Sequence, residues 1–373
     1  MIAILFFNYY TPLVSLYPLT CISMKSIIIA FLISSTGALY ALECPSKQTL
    51  SIDFGICQRQ GQRHYMEDIV GVPQIARNNT LLYAGLFDGH NGARAAQHCA
   101  YFFSRHLSQL LEKGHSTKQA MEQAYATLER ECCEKYDAGT TAVTATVENQ
   151  SLIFSWVGDS EGFLVRDGDV ILKTRPHNLD NPVEYKRALS KNGQIITYTD
   201  EQGYYMRLNG LAMSRALGDQ CSKSLSPGAI SAEPEFTQAV DLQIGDTFVL
   251  MSDRVTDNGL SQAQLAPLIS KCITTHQVPD VHAPYCPNEL YYHAGDPFLF
   301  SLAQCLVNSA YKGGSTDNIS VVLGHCFASP SIMFRTPSTT TRQALTIRES
   351  CSGSPTSTPS LNSQENQWRT TSL

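Results

Sequence analysis

The feature that most constrains the fold of this chain is an apolar segment that ends abruptly in charged and glycine residues. It spans Leu81–Gly92 and reads LLYAGLFDGHNG. A run of this kind is typical of a buried strand, and its end brings a carboxylate (Asp88), a flexible glycine (Gly89) and an imidazole (His90) to one point. Asp-Gly alone usually marks an ordinary turn, so a functional interpretation depends on the rest of the chain.

Carboxylates recur at the borders of other apolar strands. They are Glu67 and Asp68 after a loop, Asp159 after LIFSWVG, Asp253 and Asp257 after TFVLMS, and Asp317 just before Ile319–Val322. Carboxylates held close together repel and raise each other's pKa, and a hard cation such as Mg²⁺ or Mn²⁺ removes that cost. Two such ions hold a water for attack on a phosphoryl group, so no protein nucleophile is needed. The chain has no GxSxG or HExxH motif that would supply one.

Hydrolysis of a phosphate ester also needs a cation for the phosphate and an acid for the leaving oxygen. Arg63, five residues before Asp68, is the best candidate for the first role, because its planar fork pairs two oxygens. His90, two residues after Asp88, is the candidate acid. Each residue alone has a structural alternative: Asp as a cap or turn residue, Arg63 as a solvated charge. Their joint occurrence favours a site.

The order of the predicted elements indicates an α+β fold. Strands come in antiparallel pairs, and two helices are predicted in succession, from Ala93 to about Leu111 and then after a cap at Ser116. This pattern predicts a sheet-on-sheet sandwich flanked by helices rather than a Rossmann-type domain. The net charge of −6 and the lack of a Lys/Arg cluster argue against nucleic acid as a partner.

The two ends of the chain differ from its middle. We interpret residues 1–49 as a leader, with a secretory signal that starts at Met24 and continues through apolar Ile27–Ile33 into small residues. If Met24 is the true start, the chain is exported; otherwise the leader is an ordinary one or an anchor, and the protein is cytoplasmic. Residues 50–328 form the folded domain, with a lid-like, irregular segment at about 174–228. The Ser/Thr/Pro-rich residues 329–373 predict a disordered tail.

Seven motifs occur in one order over about Leu50–Gly324, and together they resemble the PP2C-type (PPM family) metal-dependent protein Ser/Thr phosphatases. The motifs are Arg63-His64-Tyr65-Met66-Glu67-Asp68, Phe87-Asp88-Gly89-His90, Ala138-Gly139-Thr140-Thr141-Ala142, Val157-Gly158-Asp159-Ser160, the stretch LAMSRALGD at Leu211–Asp219, Ser252-Asp253, and Gly314-Ser315-Thr316-Asp317-Asn318-Ile319-Ser320-Val321. The resemblance implies an α-β-β-α sandwich of two antiparallel sheets flanked by antiparallel helix pairs. It also implies two Mn²⁺ or Mg²⁺ ions, with a weaker third.

The resemblance assigns roles to individual residues. Asp88 would bridge two ions, and the carbonyl of Gly89 would bind one of them. Asp253 and Asp317 would ligate the other ion. Glu67 and Asp68 would act through metal-bound water, and Asp159 and Asp257 would form the third site with Asp253. Arg63 would hold the phosphate, and His90 would be the general acid. Residues 174–228 would form a flap that helps choose substrates.

Four positions depart from the family pattern. Asn91 replaces the usual second glycine of DGHGG, Pro176 replaces the Asp of Asp-His, Arg254 replaces a glycine, and Thr256 replaces a tryptophan. Arg254 strains the backbone, adds a phosphate contact or points away, and the sequence leaves these alternatives open. We expect a monomeric phosphatase that acts on phosphoserine and phosphothreonine in proteins. The alternative is a weak or inactive relative that binds phosphoproteins or regulates a complex.

Overall fold

The structure is a computed structural model that describes residues 49–76, 81–200, 203–257, 260–283 and 291–329. The strands in these ranges are β1 (Thr49–Arg59), β2 (Asp68–Ala76), β3 (Leu81–His90), β4 (Gly139–Thr140), β5 (Ala142–Glu148), β6 (Ser151–Val157), β7 (Glu161–Arg166), β8 (Asp169–Lys173), β9 (Ile195–Asp200), β10 (Gly203–Leu208), β11 (Leu217–Gly218), β12 (Glu235–Phe236), β13 (Val240–Asp241), β14 (Thr247–Met251), β15 (Tyr291–Gly295) and β16 (Ile319–Ser329). The helices are α1 (Arg94–Glu112), α2 (Thr117–Lys135), α3 (Pro182–Ser190), α4 (Gln220–Leu225), α5 (Arg254–Asp257), α6 (Gln262–Thr275) and α7 (Pro297–Lys312).

Two antiparallel sheets form the body of the fold. The first has the strand order β15-β1-β16-β14-β7-β8. The second has the order β11-β4-β3-β5-β6-β12, with β2 beside β3 and β13 beside β6. Each described pairing within them is antiparallel, and β1 and β16 pair along their whole length from Thr49↔Ser329 to Arg59↔Ile319. This confirms the predicted α+β class.

Side-chain alternation explains how the layers stack. In β3, Leu82, Ala84 and Leu86 join the core between the two sheets, together with residues of β1, β5, β14 and β16. The intervening residues Tyr83 and Phe87 point the other way and pack against α1 and α2. Helices α6 and α7 cover the opposite sheet, against odd-numbered residues of β14 and β16. Because successive strand residues face opposite sides, one sequence serves both layers and gives the predicted α-β-β-α sandwich.

The predicted cap at Ser116 is confirmed, and one tight hairpin turn has the geometry that its residues favour. Ser116 caps α2, since its hydroxyl accepts from the backbone N–H of Gln119 and the Gln119 side chain accepts from the Ser116 N–H. Asp167 and Gly168 both have positive φ, 53° and 91°, as a tight hairpin turn between β7 and β8 requires.

The sequence did not predict β2 and β15. Strand β2 pairs with β3, but an irregularity between Gly71 and Gln74 interrupts its register and with it the alternation that marks a strand. Strand β15 follows a proline-containing stretch that we predicted to be a loop, and its backbone pairs with β1 from Gly55↔Gly295. In both cases the strand is defined by backbone pairing with another segment of the chain, which a local residue pattern does not reveal.

The segment at 174–228 is more regular than predicted. It contains α3, the hairpin β9–β10 and α4, and its apolar side chains form a small separate core around Ala188, Leu208 and Ile230. Its role as a flap stays a prediction. The predicted leader (1–49) and tail (329–373) lie outside the described residues, except that Thr49 and Ser329 extend β1 and β16 by pairing with each other. In the described part of the chain, no helix has the length and apolar character needed to span a membrane.

Candidate active site

The predicted acidic residues lie where strands of both sheets end. Asp68 opens β2 and is the cross-strand partner of Asp88 near the end of β3. Asp253 lies two residues after the end of β14 and Asp317 two residues before the start of β16, and these two strands are neighbours. Ser252 and Ser320 hold the two strand ends together. The Ser252 backbone N–H donates to the Ser320 carbonyl at 3.1 Å, and the Ser320 backbone N–H donates to the Ser252 hydroxyl at 3.0 Å. The sandwich therefore brings carboxylates from four separate segments to one end.

Asp88 is at the electrostatic centre of this cluster. Burial raises the pKa of its carboxyl well above the usual range, and the neighbouring carboxylates Asp68, Asp253, Asp159 and Asp317 raise it further. All four were predicted from the sequence as members of one site. A single buried carboxylate surrounded by four others is costly in the ionised form, unless a cation lies among them.

Asp68 is completely buried, and a set of hydrogen bonds orients it. Ser320 donates to its carboxylate at 2.7 Å, and Gln58 donates both to Ser320 Oγ and to the Asp68 carbonyl. Burial raises the pKa of Asp68 to about 6; the Ser320 hydrogen bond opposes that increase, and Asp317 adds to it. Both partners lie on strands β1 and β16, so the first sheet fixes a carboxylate that belongs to the second.

Asp159 and Asp253 show the same effect of crowding. Burial raises the pKa of Asp159 to about 6, against the effect of a backbone hydrogen bond, and Asp257 contributes a further increase. Burial also raises the pKa of Asp253 well above its usual range, reinforced by Asp159 and opposed by the positive charge of Arg254. These two residues and Asp257 are therefore electrostatic neighbours, as the predicted third-ion position requires.

Gly89 and Glu67 lie at a close backbone crossing. A Cβ atom at Gly89 would lie 2.7 Å from the Glu67 carbonyl oxygen, so no larger residue fits there without a shift. The Glu67 carboxylate accepts a 2.6 Å hydrogen bond from the Gly92 backbone N–H. Between them, Asn91 has φ of 57°, a conformation that Asn tolerates better than most residues. The replacement of glycine by Asn91 is thus compatible with the local backbone.

A residue that the sequence analysis did not single out fixes the loop that carries Arg63 and Glu67. The buried side chain of Asn318 accepts from the Glu67 backbone N–H at 2.7 Å. It also donates to the carbonyls of Gln60 and Tyr65, at 2.6 Å and 3.1 Å. Its position next to Asp317 in the predicted ligand motif was the only available signal. The loop is held against β16 by this one amide.

Two arginines contact Asp317. The half-exposed Arg63 side chain places Nη2 2.5 Å from Asp317 Oδ2. Arg254 places Nε 3.3 Å from the same oxygen and 3.5 Å from Asp253 Oδ1, while its Nη1 is 3.4 Å from Asp257 Oδ2. Arg254 is in helix α5 and has no positive φ, so backbone strain, one of the three alternatives for this residue, is not observed.

His90 has a partner that was not predicted. Its Nε2 lies 2.7 Å and 2.9 Å from the two carboxylate oxygens of the buried Asp219. Asp219 is only four residues from Arg215, a spacing that would suit an ion pair, but Arg215 instead binds Glu184 at 2.6 Å and Glu235 at 2.7 Å. The left-handed backbone conformation of Asp219 directs its side chain elsewhere.

The donor set fits hard divalent cations. The converging groups are carboxylates, with backbone oxygens nearby and no thiol or imidazole among the predicted ligands, and this chemistry suits Mg²⁺ and Mn²⁺. Among the described residues, no three His, Cys, Asp or Glu side chains are arranged as a ready-made ligand group. In this arrangement the charge of Asp317 and Asp253 is instead compensated by Arg63 and Arg254.

A cavity of about 880 Å³ opens beside Glu67. Its walls carry charges of both signs, from Arg94 and Lys135 on one hand and Asp137 on the other, and include Tyr65, whose side chain is largely exposed. The cavity provides room for a polar, extended ligand next to the carboxylate cluster.

Comparison with known sequences places the chain among phosphatases. The family model described as protein phosphatase 2C matches residues 52–319. A probable protein phosphatase 2C 14 of Arabidopsis thaliana is 33% identical over 55% of this chain and 45% of its own length. Protein phosphatase 1B of Mus musculus is 28% identical, and probable protein phosphatase 2C 69 of Arabidopsis is 30% identical; both matches cover 74% of this chain and 70% of the relative.

Solved structures support the fold. A Caenorhabditis elegans sex-determining protein superposes with a TM-score of 0.59 at 23% identity, over 75% of this chain and 65% of its own. A phosphatase from Toxoplasma gondii gives a TM-score of 0.58 at 20% identity, over 75% of this chain and 96% of its own. At these identities the likeness concerns the fold alone.

Proposed function

The chain belongs to the protein phosphatase 2C family, and we propose that it hydrolyses phosphoserine and phosphothreonine in proteins. The observation that carries the proposal is the convergence of Asp68, Asp159, Asp253 and Asp317 on Asp88. Five carboxylates drawn from separate strand ends have no evident structural purpose, since their mutual repulsion opposes folding. Such a cluster of oxygen donors is the chemistry that a site for divalent cations would need.

The cation site would be formed by this chain's own oxygen donors. We propose that Asp88 and the Gly89 carbonyl hold one Mn²⁺ or Mg²⁺ ion, that Asp88, Asp253 and Asp317 hold a second, and that Asp159 and Asp257 contribute to a weaker third. Asp68 and Glu67 would act through bound water. When bound, such ions supply an activated water and neutralise the phosphoryl charge.

The remaining chemistry belongs to Arg63 and His90. The Arg63 guanidinium is half exposed beside Asp317, so its free edge can pair with two phosphate oxygens. His90 donates Nε2–H to Asp219, because a carboxylate only accepts, and its buried Nδ1 has no hydrogen-bond partner among the described residues. A protonated His90 would offer the Nδ1 proton to the leaving serine or threonine oxygen. The cavity beside Glu67 would receive the substrate polypeptide.

A second candidate function rests on one observation. Arg254 and Arg63 neutralise part of the cluster, so the site is compatible with a protein that binds phosphorylated partners without hydrolysing them. The retention of Asp88, Asp253, Asp317, Arg63 and His90 in one place favours the enzyme.

Phosphate release from phosphoserine and phosphothreonine peptides tests the proposal. We expect the purified protein to release phosphate in the presence of Mn²⁺ or Mg²⁺, and we expect this release to cease in EDTA. Asp88→Asn should reduce turnover about 100-fold or more, because it removes a charge that acts in the transition state. Asp169→Asn, which changes the same charge at an exposed position in β8, should have no effect.

Three results would decide against the enzyme in distinct ways. Turnover that persists in EDTA, or in the Asp88→Asn variant, would contradict the metal mechanism. No turnover combined with saturable phosphopeptide binding would favour the second candidate.

A further inference from the structure

The position of Arg254 in the carboxylate cluster is a feature that the proposed chemistry does not use. Its guanidinium lies within 3.3–3.5 Å of carboxylate oxygens from Asp317, Asp253 and Asp257. All three are residues that we propose as cation ligands. One side chain therefore faces the three acids that would hold divalent ions on this side of the site.

The contacts of Nε are electrostatic rather than well-formed hydrogen bonds, whereas Nη1 donates a long hydrogen bond of 3.4 Å to Asp257. Arg254 Nε is buried and has no hydrogen-bond partner within the part of the chain described, although carboxylate oxygens of Asp253 and Asp317 are close to it. A planar guanidinium presents its N–H groups in fixed directions, and here the direction of Nε–H does not match these acceptors. A buried polar group left without a partner is unfavourable, so the arrangement can be displaced by a better-matched cation.

A divalent ion would be that cation. Mg²⁺ lies about 2.0–2.1 Å from its oxygen ligands and carries twice the charge of a guanidinium, so it compensates the acids more effectively. The Arg254 side chain is about one-third exposed, at 35%, and thus has a route to solvent. It belongs to the four-residue helix α5 at the surface, so its departure does not require the sheets to move.

We propose that Arg254 is an internal counter-ion that compensates Asp253, Asp257 and Asp317 in the metal-free protein and must leave when Mn²⁺ or Mg²⁺ binds. The proposal rests on the proposed function for the identity of the metal. Its consequence is a higher metal concentration for activation: the side chain stabilises the metal-free form and competes with the ion for the same oxygens. The phosphatase would then be active only where the metal is plentiful.

Metal affinity, measured without substrate, tests this directly. Isothermal titration calorimetry with MnCl₂ should show about tenfold tighter binding to Arg254→Gln than to the wild type, because a competing charge is removed. Thermal unfolding in EDTA should show a lower midpoint for the same variant. Arg254→Lys, which keeps the charge, should remain near the wild type in both measurements. Arg130→Gln, at an exposed position on α2, controls for net charge.

Unchanged or weaker Mn²⁺ binding by Arg254→Gln would overturn the proposal. So would a raised KM for a phosphopeptide with unaltered Mn²⁺ affinity, which would make Arg254 a substrate contact. If Arg254→Gln does not fold in EDTA, Arg254→Met, which keeps the aliphatic stem, provides the same comparison. Tighter metal binding by the variant of a protein that releases no phosphate would leave this inference standing while the proposed function fails. If the protein is a metal-dependent phosphatase but Arg254→Gln binds Mn²⁺ no more tightly than the wild type, the proposed function stands and this inference fails.

Discussion

The imidazole of His90 and the carboxylate of Asp219 are paired at 2.7 Å although 129 residues separate them in the chain. Asp219 is buried and adopts a left-handed conformation with φ of 57°, which turns its side chain back toward β3. The pair fixes the ring orientation of His90, as a buried Asp does for a catalytic histidine. Asp219 is therefore a positioning residue for the proposed acid.

Asp219→Asn should lower kcat for a phosphopeptide about 100-fold and leave KM nearly unchanged, because it alters the acid and not the phosphate contacts. The loss should be much smaller with p-nitrophenyl phosphate, whose leaving group needs no proton. Steady-state kinetics with both substrates measure these effects.

Asp167→Asn, in the exposed turn between β7 and β8, serves as the control. An equal loss with both substrates would mean that Asp219 acts only on the structure.

Gly139 leaves the space that the Asp219 carboxylate occupies. A Cβ at this position would lie 2.0 Å from Asp219 Oδ2 and 2.5 Å from Oδ1, so the carboxylate would have to move. Gly139→Ala should reproduce the kinetic signature of Asp219→Asn and lower stability by about 1–3 kcal/mol, the usual cost of overpacking. Gly71→Ala is the matched control, because its Cβ would meet its nearest neighbours at an ordinary 3.5 Å. Full activity of Gly139→Ala would refute the importance of the pair.

Asp88→Asn should raise the stability of the metal-free protein although it lowers the activity. Burial and four neighbouring carboxylates raise the pKa of Asp88, so its negative charge destabilises the fold in the absence of metal. The neutral amide removes that repulsion, and we expect the variant to be about 1–2 kcal/mol more stable than the wild type in EDTA. The difference should shrink or reverse with Mn²⁺, which only the wild type binds well. Urea unfolding with and without metal gives the comparison, and a less stable variant in EDTA would contradict the expectation.

The sequence was sufficient where local pattern and chemistry coincide. An apolar run that ends in an acid places that acid at a strand end. This pattern was enough to predict that Asp88, Asp159, Asp253 and Asp317 belong to one site. The layered sandwich follows in the same way, because period-two alternation in β3 assigns each residue to one of two cores.

The partners of these residues could not be predicted, because they are set by contacts distant in sequence. Asp219 is four residues from Arg215 but binds His90, while Arg215 reaches Glu184 on α3. A turn with a left-handed residue redirects the chain between them, and nothing in the letters LAMSRALGD specifies that direction. The contact of Arg254 with Asp317 likewise depends on the convergence of β14 and β16, whereas its contacts with Asp253 and Asp257 are local in sequence.

Glu184 gives the protein a sensitivity to acid that is separate from the proposed site. Burial alone would raise the pKa of its carboxyl, but hydrogen bonds from Arg215, Arg187 and Ser214 outweigh burial and lower the pKa to about 2. The folded state therefore holds this proton less tightly than the unfolded state, whose value is near the ordinary 4.5. The resulting stabilisation is complete above pH 4.5 and is lost as the pH falls toward 2.

Between pH 5 and pH 3 the wild type should lose about 2 kcal/mol of unfolding free energy more than Glu184→Gln, which has no proton to bind. Urea unfolding at both pH values measures this difference. The carboxyls with a raised pKa contribute in the opposite direction, but equally in both proteins, so their contribution cancels in the comparison. Glu122→Gln, at an exposed helix position paired only loosely with Lys118, should behave like the wild type. The same pH dependence in Glu184→Gln and the wild type would show that the acid sensitivity arises elsewhere.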